Sequence, residues 1–135
     1  MKLEKREIKF RAWIKYSCQG GHMIEWNGIE NTSANRLHEV FDGMLGGGVI
    51  LMQYTGITDK NGVEAYEGDI IIMNDTLKNK KWVALIFYNS KLARFDCKNT
   101  RGKIKHLHVV SHPQWKFEVI GNIYENPELL DDTHA

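Results

Sequence analysis

Apolar and polar positions alternate along most of this chain with a period of two, the spacing of strands that bury one face. From Glu7 to Tyr16, Ile8, Phe10 and Ala12 interleave with Lys9, Arg11 and Trp13, which predicts a strand, and Met23 to Trp26 reads as a short return strand that brings Trp26 near Trp13. Further strands are expected at Val49 to Tyr54, Ile70 to Met73, Trp82 to Tyr88, Leu92 to Cys97, Ile104 to Val110 and Trp115 to Ile120. The run Ile70 to Met73 is continuously apolar and suits a strand covered on both faces. The last four strands, joined by short polar or glycine-containing links, read as a β-meander that curls into a partly open barrel.

One stretch breaks the period of two. Leu37, Val40, Phe41 and Met44 recur at helical spacing, after the capping candidates Asn31, Thr32 and Ser33 and before Gly46-Gly47-Gly48. A helix from about Ala34 to Met44 follows, with the glycines as its C-terminal stop. Those glycines are not a phosphate cradle, because a P-loop places its helix after the glycines and carries a Gly-Lys-Ser/Thr. The densest turn chemistry lies between Val49 and Met73, where Thr55, Gly56, Asp59, Asn61, Gly62, Gly68 and Asp69 cluster. Asn61-Gly62 is the pair favoured when two successive residues take positive φ, so a type I′ hairpin turn is expected there. Pro127 is placed to begin a short helical turn carrying Glu128 and Leu129, with Tyr124, Leu129 and Leu130 holding it to the body.

These elements describe one α+β domain over residues 1–135, mainly antiparallel β, with one packed helix and a small barrel-like sheet from Val49 to Ile120. At 135 residues the chain is long enough for one core. Its 42% hydrophobic and 26% charged content is that of a globular protein. No apolar run approaches the roughly 20 residues that cross a bilayer, so no membrane partner is expected. The start has charges of both signs and no apolar stretch of signal-peptide length. Cys18 and Cys97 form neither a disulfide framework nor a CxxC pair, which suits a reducing cytoplasm.

The net charge of +1 conceals an uneven distribution. Lys78, Lys80, Lys81, Lys91, Arg94, Lys98, Arg101, Lys103 and Lys105 face a single acidic residue, Asp96, between positions 78 and 105. Trp82, Phe87, Tyr88 and Phe95 are interleaved with them. A curved sheet bearing cations and aromatics holds single-stranded nucleic acid by phosphate contact and base stacking, and Lys78, Lys80, Lys81, Trp82, Lys91, Arg94, Lys98, Arg101, Lys103 and Lys105 are the candidate set. The bland alternative is that the aromatics face the core and the cations only solvate hairpins.

Candidate chemistry is thinner. His106 and His108 share a strand face and, with His112, Cys97 or an Asp, have the residue types of a metal site, although no HExxH or CxxC pattern accompanies them. The polar face of a half-buried strand explains the same histidines, and no cofactor is expected. Glu64, Glu67, Asp59 and Asp69 collect around the central turns as paired carboxylates, yet Asp59 and Asp69 are also what turns use to accept backbone N–H bonds. Neither cysteine has a local cue for a lowered pKa.

Three blocks carry a resemblance: Arg6 to Trp13 (REIKFRAW), Leu51 to Ile70 (LMQYTG, DKNG and YEGDI), and Val119 to Leu129 (VIGNIYENPEL). In order and spacing they resemble the YopX family, whose members are encoded by bacteriophages and prophages and whose molecular function is not established. The blocks leave residues 17–48 and 74–114 uncovered. The resemblance implies a small phage-borne accessory protein of the host cytoplasm and transfers no catalytic residue. The expected role is therefore a non-catalytic binding module whose partner is a host or phage protein. A nucleic-acid-binding module and a metal-dependent enzyme are the alternatives, and sheet edges leave homo-oligomerisation open.

Overall fold

The computed structural model describes residues 5–15, 20–25, 48–107 and 112–131. The helix expected from Ala34 to Met44, Trp26, Cys18 and His108 lie outside them. The described residues are mainly antiparallel β with their connecting turns, and Pro127–Leu130 forms a 3-10 turn. The chain groups into two compact units, Met1–Gly56 and Ile57–Ala135.

In the first unit, β1 (Phe10–Lys15) pairs with β2 (Gly21–Ile24) on one side and with β3 (Val49–Thr58) on the other. Ala12 lies opposite Leu51 and Ile14 opposite Val49, so the alternation read from the sequence sets one apolar face, formed by Ala12 and Val49 with Ile14 and Leu51 packed on them. Gly21 faces the Trp13 indole so closely that a Cβ there would lie 2.4 Å from ring carbons. The ring covers the glycine, a known way to shield a weak position in a strand. A short strand, β4 (Glu64–Tyr66), falls in the second unit.

The second unit holds β5 (Asp69–Asp75), β6 (Lys80–Asn89), β7 (Arg94–Lys98), β8 (Ile104–His106) and β9 (Trp115–Asn122) in the order β8-β7-β6-β5-β9. The single barrel-like sheet expected over Val49–Ile120 is therefore two sheets, one of them half-barrel-like. The expected meander holds for β6, β7 and β8, but β9 does not continue it. It crosses to the far edge of β5, where Val119, Phe117 and Trp115 stand opposite Ile71, Met73 and Asp75. Period-two patterning names the face that each strand buries but not its neighbour. The apolar face of β9 matches that of β5, and that complementarity settles the pairing. One face of the sheet builds the core from Ile71, Met73, Ala84, Ile86, Cys97 and Phe117, joined by Ala65 and Leu107.

Four hairpin loops begin on Asp or Asn, in two repeating designs. In Asp59–Val63, Asp59 N donates to Val63 O, Gly62 N donates to Asp59 O, and Asp59 Oδ1 accepts from Asn61 N at 2.8 Å and Val63 N at 2.9 Å. Gly62 has φ +80°, whereas Asn61 is not in the positive region. The turn is thus not type I′ as expected from Asn61-Gly62. It is a three-residue loop, a type I turn closed by a left-handed glycine. Its Asx start supplies bonds to the amides that a two-residue loop would not need to cap. Asn99–Lys103 repeats the design with Gly102 at φ +82° and Asn99 Oδ1 accepting from Arg101 N and Lys103 N.

The four-residue loops Thr76–Asn79 and Ser90–Ala93 form the second design, in which Asp75 and Asn89 accept from two loop amides each. Each closes on a left-handed residue, Asn79 at φ +51° and Ala93 at φ +53°. Asparagine tolerates this region, but alanine pays about 1 kcal/mol for its Cβ there. Ala93→Gly is expected to raise the melting temperature by about 1–2 °C after the extra entropy of the unfolded glycine is deducted. A thermal melt followed by circular dichroism checks this, and an unchanged or lower midpoint contradicts it.

Candidate functional site

The second unit carries a groove whose lining comes from four separate elements. The start of β6 contributes Lys80 and Lys81, with Trp82 and Val83 after them, and neighbouring β5 adds Ile72. The Asn99–Lys103 loop contributes Asn99, Thr100, Arg101 and Lys103, and the C-terminal turn contributes Leu129 and Asp131. The cavity measures about 650 Å³. A second hollow of about 480 Å³ shares Asn99, Thr100 and Asp131 and adds Leu85, Lys98 and Leu130, so the groove continues along the sheet.

Local sequence explains each wall. Asn99 fixes the β7–β8 loop through its Oδ1 bonds, which leaves Arg101 and Lys103 exposed on a rigid turn. Pro127 begins the C-terminal turn, in which Leu129 N donates to Asn126 O and Asp131 N to Glu128 O. The segment is tied back by Asn122, whose Oδ1 accepts from Tyr124 N at 3.0 Å and Glu125 N at 2.8 Å. Asn126 Oδ1 accepts in turn from Asn122 N at 3.2 Å. The result is an apolar lining of Ile72, Val83 and Leu129 under exposed cations, with one carboxylate, Asp131, at the junction of the two hollows.

Of the ten residues proposed from sequence, Lys80, Lys81, Trp82, Arg101 and Lys103 line the larger hollow and Lys98 the smaller. The others go elsewhere. Lys78 and Lys91 sit exposed on the Thr76–Asn79 and Ser90–Ala93 loops. Arg94 Nε lies 3.0 Å from Asp96 Oδ1. The Lys105 ammonium lies 4.8 Å from the ring centroid of Trp82 and 3.9 Å from that of Trp115, an indole sandwich around a cation. Desolvation there, with Lys103 close by, lowers the Lys105 pKa despite the opposing charge of Asp75. Lys98 lies 4.9 Å over the Phe87 ring.

Sequence reasoning missed Asn99, Thr100, Leu129 and Asp131 as groove residues, and Trp115 as the partner of Lys105. The Asn-x-x-Gly signature of the loop was legible, but the placement of the C-terminal turn against β6 is a tertiary fact without a local signal.

The candidate metal ligands are not gathered at one point among the described residues. His106 Nδ1 lies 3.3 Å from Asp96 Oδ1, and His112 Nδ1 accepts from Gln114 N at 3.3 Å. No group of three His, Cys, Asp or Glu among the described residues is placed to hold an ion. Asp96 is fully buried and also accepts from Asn89 Nδ2 at 2.9 Å. Burial raises its pKa, but the bonds from Asn89 and His106 and the charge of Arg94 outweigh that and leave it lowered. Cys97 is also fully buried, and desolvation beside Asp96 pushes its thiol up to about 12, so it is protonated and a poor nucleophile at neutral pH. Of the central carboxylates, Asp59 accepts three backbone amides and Asp69 Oδ2 accepts Tyr66 N at 2.8 Å. Glu64 and Glu67 lie half-buried on β4 and in the β4–β5 turn.

Fold and groove together define a small, mainly antiparallel β protein with a basic, apolar-floored channel on one sheet. The family model for the YopX protein matches residues 9–131, and the chain belongs to that family. Two crystal structures are similar to it in fold. One is protein EF1440 from Enterococcus faecalis, at 24% identity over 94% of this chain and 100% of the other, with a TM-score of 0.51. The second is yopX from Bacillus subtilis, at 16% identity over 91% of this chain and 98% of the other, with a TM-score of 0.57. No curated protein matches the chain. No helix among the described residues is long and apolar enough to cross a membrane.

Proposed function

We propose that the chain is a phage- or prophage-encoded accessory protein of the host cytoplasm that works by binding, and that its ligand is a nucleic-acid strand held in the groove. The observation that carries this reading is the convergence of Lys80, Lys81, Arg101 and Lys103 on one apolar-lined channel. Four cations brought to one groove repel one another, and a polyanion relieves that repulsion while releasing its own counterions. The apolar lining gives bases a place to leave water. Neither property serves a merely solvated surface.

The test is fluorescence anisotropy with a labelled single-stranded 12-mer. If four phosphates are neutralised, the logarithm of affinity falls with the logarithm of salt at a slope of about −2.8, so affinity drops roughly 50-fold between about 50 and 200 mM salt. The double variant Lys80→Glu with Arg101→Glu should weaken binding and flatten that slope to about half. No binding at the lower salt, or an unaltered slope in the double variant, refutes the reading.

A protein partner is the second reading. It draws on Leu77, 78% exposed, and Leu92, 55% exposed, both on hairpin tips where apolar side chains have no folding role. Pull-down from phage-induced cells with and without nuclease separates the two, since a partner docked on Leu77 and Leu92 survives nuclease and is lost in Leu77→Ser with Leu92→Ser.

A further inference from the structure

We infer that a strand bound in the groove leaves it across β5 and β9, with Lys116 as a further phosphate contact, an inference that rests on the nucleic-acid reading above. The register of the sheet carries it. Asn74 on β5 stands opposite Lys81 on β6 and opposite Lys116 on β9. Directly opposed residues of an antiparallel pair share a face, so the three form one row across the sheet. Lys81 lines the groove, and so does Ile72, two positions before Asn74, which puts the row on the groove's face. Met73 and Phe117 turn to the core on the other side. Lys81 and Lys116 are both exposed, two strand spacings or about 10 Å apart.

The surroundings leave Lys116 available to an anion. Asn74 Oδ1, the buried acceptor between the two lysines, has no hydrogen-bond donor, so neither ammonium is folded back onto it. Glu118, the next residue along the same face of β9, lies 3.5 Å from Lys60 Nζ and accepts from Asn61 Nδ2 at 3.5 Å. Its charge is offset there. Charges at about 0.1 M salt act over about 10 Å, so the positive field of the groove extends past Lys81 to Lys116. Towards β7 the same face offers less to a polyanion. Lys98 is laid over the Phe87 ring, and Arg94 Nε lies 3.0 Å from Asp96 Oδ1. Those cations are already engaged, and a strand leaving the groove gains more by crossing β5.

Anisotropy of labelled dT12 is measured between about 50 and 200 mM salt with the wild-type chain and with Lys116→Glu, Lys116→Arg and Lys91→Glu. Lys91 is also exposed, but its hairpin tip lies about 25 Å from Lys81 along β6, well beyond the screening length. With Lys116 added to the four groove cations the salt slope is about −3.5, and Lys116→Glu returns it to about −2.8. Taking the contact as worth nothing at about 1 M salt, its loss weakens binding about eightfold at about 50 mM and about threefold at about 200 mM. Lys116→Arg and Lys91→Glu should bind as the wild type does. Circular dichroism melts of the same samples keep a loss of binding distinct from a loss of fold. An unchanged slope and affinity in Lys116→Glu, or an equal loss in Lys91→Glu, overturns the inference and leaves the nucleic-acid reading standing. No binding of dT12 at the lower salt overturns both.

Discussion

Asp59→Ala should cost the protein about 3–5 kcal/mol of stability, more than is usual for a loop residue on a sheet protein of this size. The Asp59 residue is 6% exposed, and its carboxylate is divided between two tasks. Oδ1 closes the β3–β4 loop on Asn61 N and Val63 N, while Oδ2 accepts from Val119 N at 2.9 Å, sixty residues further along the chain. Lys60 N adds a bond to Phe117 O at 3.1 Å. The loop therefore caps the edge of β9 that faces away from β5, giving amides and carbonyls there the partners that another strand would supply. Bonds to an ionised acceptor are worth about 1.5–3 kcal/mol each, and the total falls short of their sum because water reaches the loop amides once the carboxylate is removed. The Val119 amide is half-buried and gains least from that water. Asp59→Asn keeps one acceptor oxygen and should lose about half as much. Urea unfolding of the three proteins measures the effect, and hydrogen exchange should show the Val119 amide losing protection in Asp59→Ala. A change below about 1 kcal/mol, or protection unaltered at Val119, shows that the β9 edge does not depend on this carboxylate.

Asp59 also shows what could be read from the chain beforehand. Its role as a turn acceptor follows from residue type and from the glycine three positions later. The strands were legible for a similar reason, since alternation such as Trp115, Phe117 and Val119 needs no partner to be recognised. The bond from Asp59 to Val119 was not legible, because it depends on β9 pairing with β5 instead of following β8. The hairpin type was misjudged because Asn-Gly is compatible with two loop lengths. The preceding Asp, which can cap the amides of a three-residue loop, decides between them. At the candidate site the same division appears. The excess of cations between Lys78 and Lys105 is compositional and visible at once. Their separation into groove, hairpin tips, the Asp96 pair and the indole sandwich depends on strand faces and on where the C-terminal turn lands. Lys81 and Lys105 look equivalent in sequence. One lines an open channel and the other is enclosed by Trp82 and Trp115.

Acid should unfold the protein through three carboxylates, and the direction follows from their surroundings. Burial raises the pKa of Asp59, but the amides of Val119, Val63 and Asn61 and the charge of Lys60 outweigh it, leaving it below the ordinary 3.8. Desolvation likewise opposes, and is outweighed by, the Gln114 amide and the Lys78 and Leu77 backbone bonds at Asp75. At Asp96 the bonds from Asn89 and His106 and the charge of Arg94 prevail over desolvation in the same way. A carboxylate whose pKa is lower in the folded than in the unfolded chain stabilises the fold fully above its unfolded pKa. That stability is lost as pH falls through the folded value. The contribution of all three is thus intact above about pH 5 and disappears progressively as the pH drops below about 4. Urea midpoints should fall steeply over that lower window. In Asp59→Asn and Asp96→Asn the fall should be shallower, because a group that no longer titrates cannot contribute to it. The two variants also separate the regions involved, since Asp59 secures the β9 edge while Asp96 holds Arg94 and His106 on β7 and β8. If the acid limb is equally steep in both variants, other groups carry the transition and the bonds to these carboxylates are not what low pH breaks.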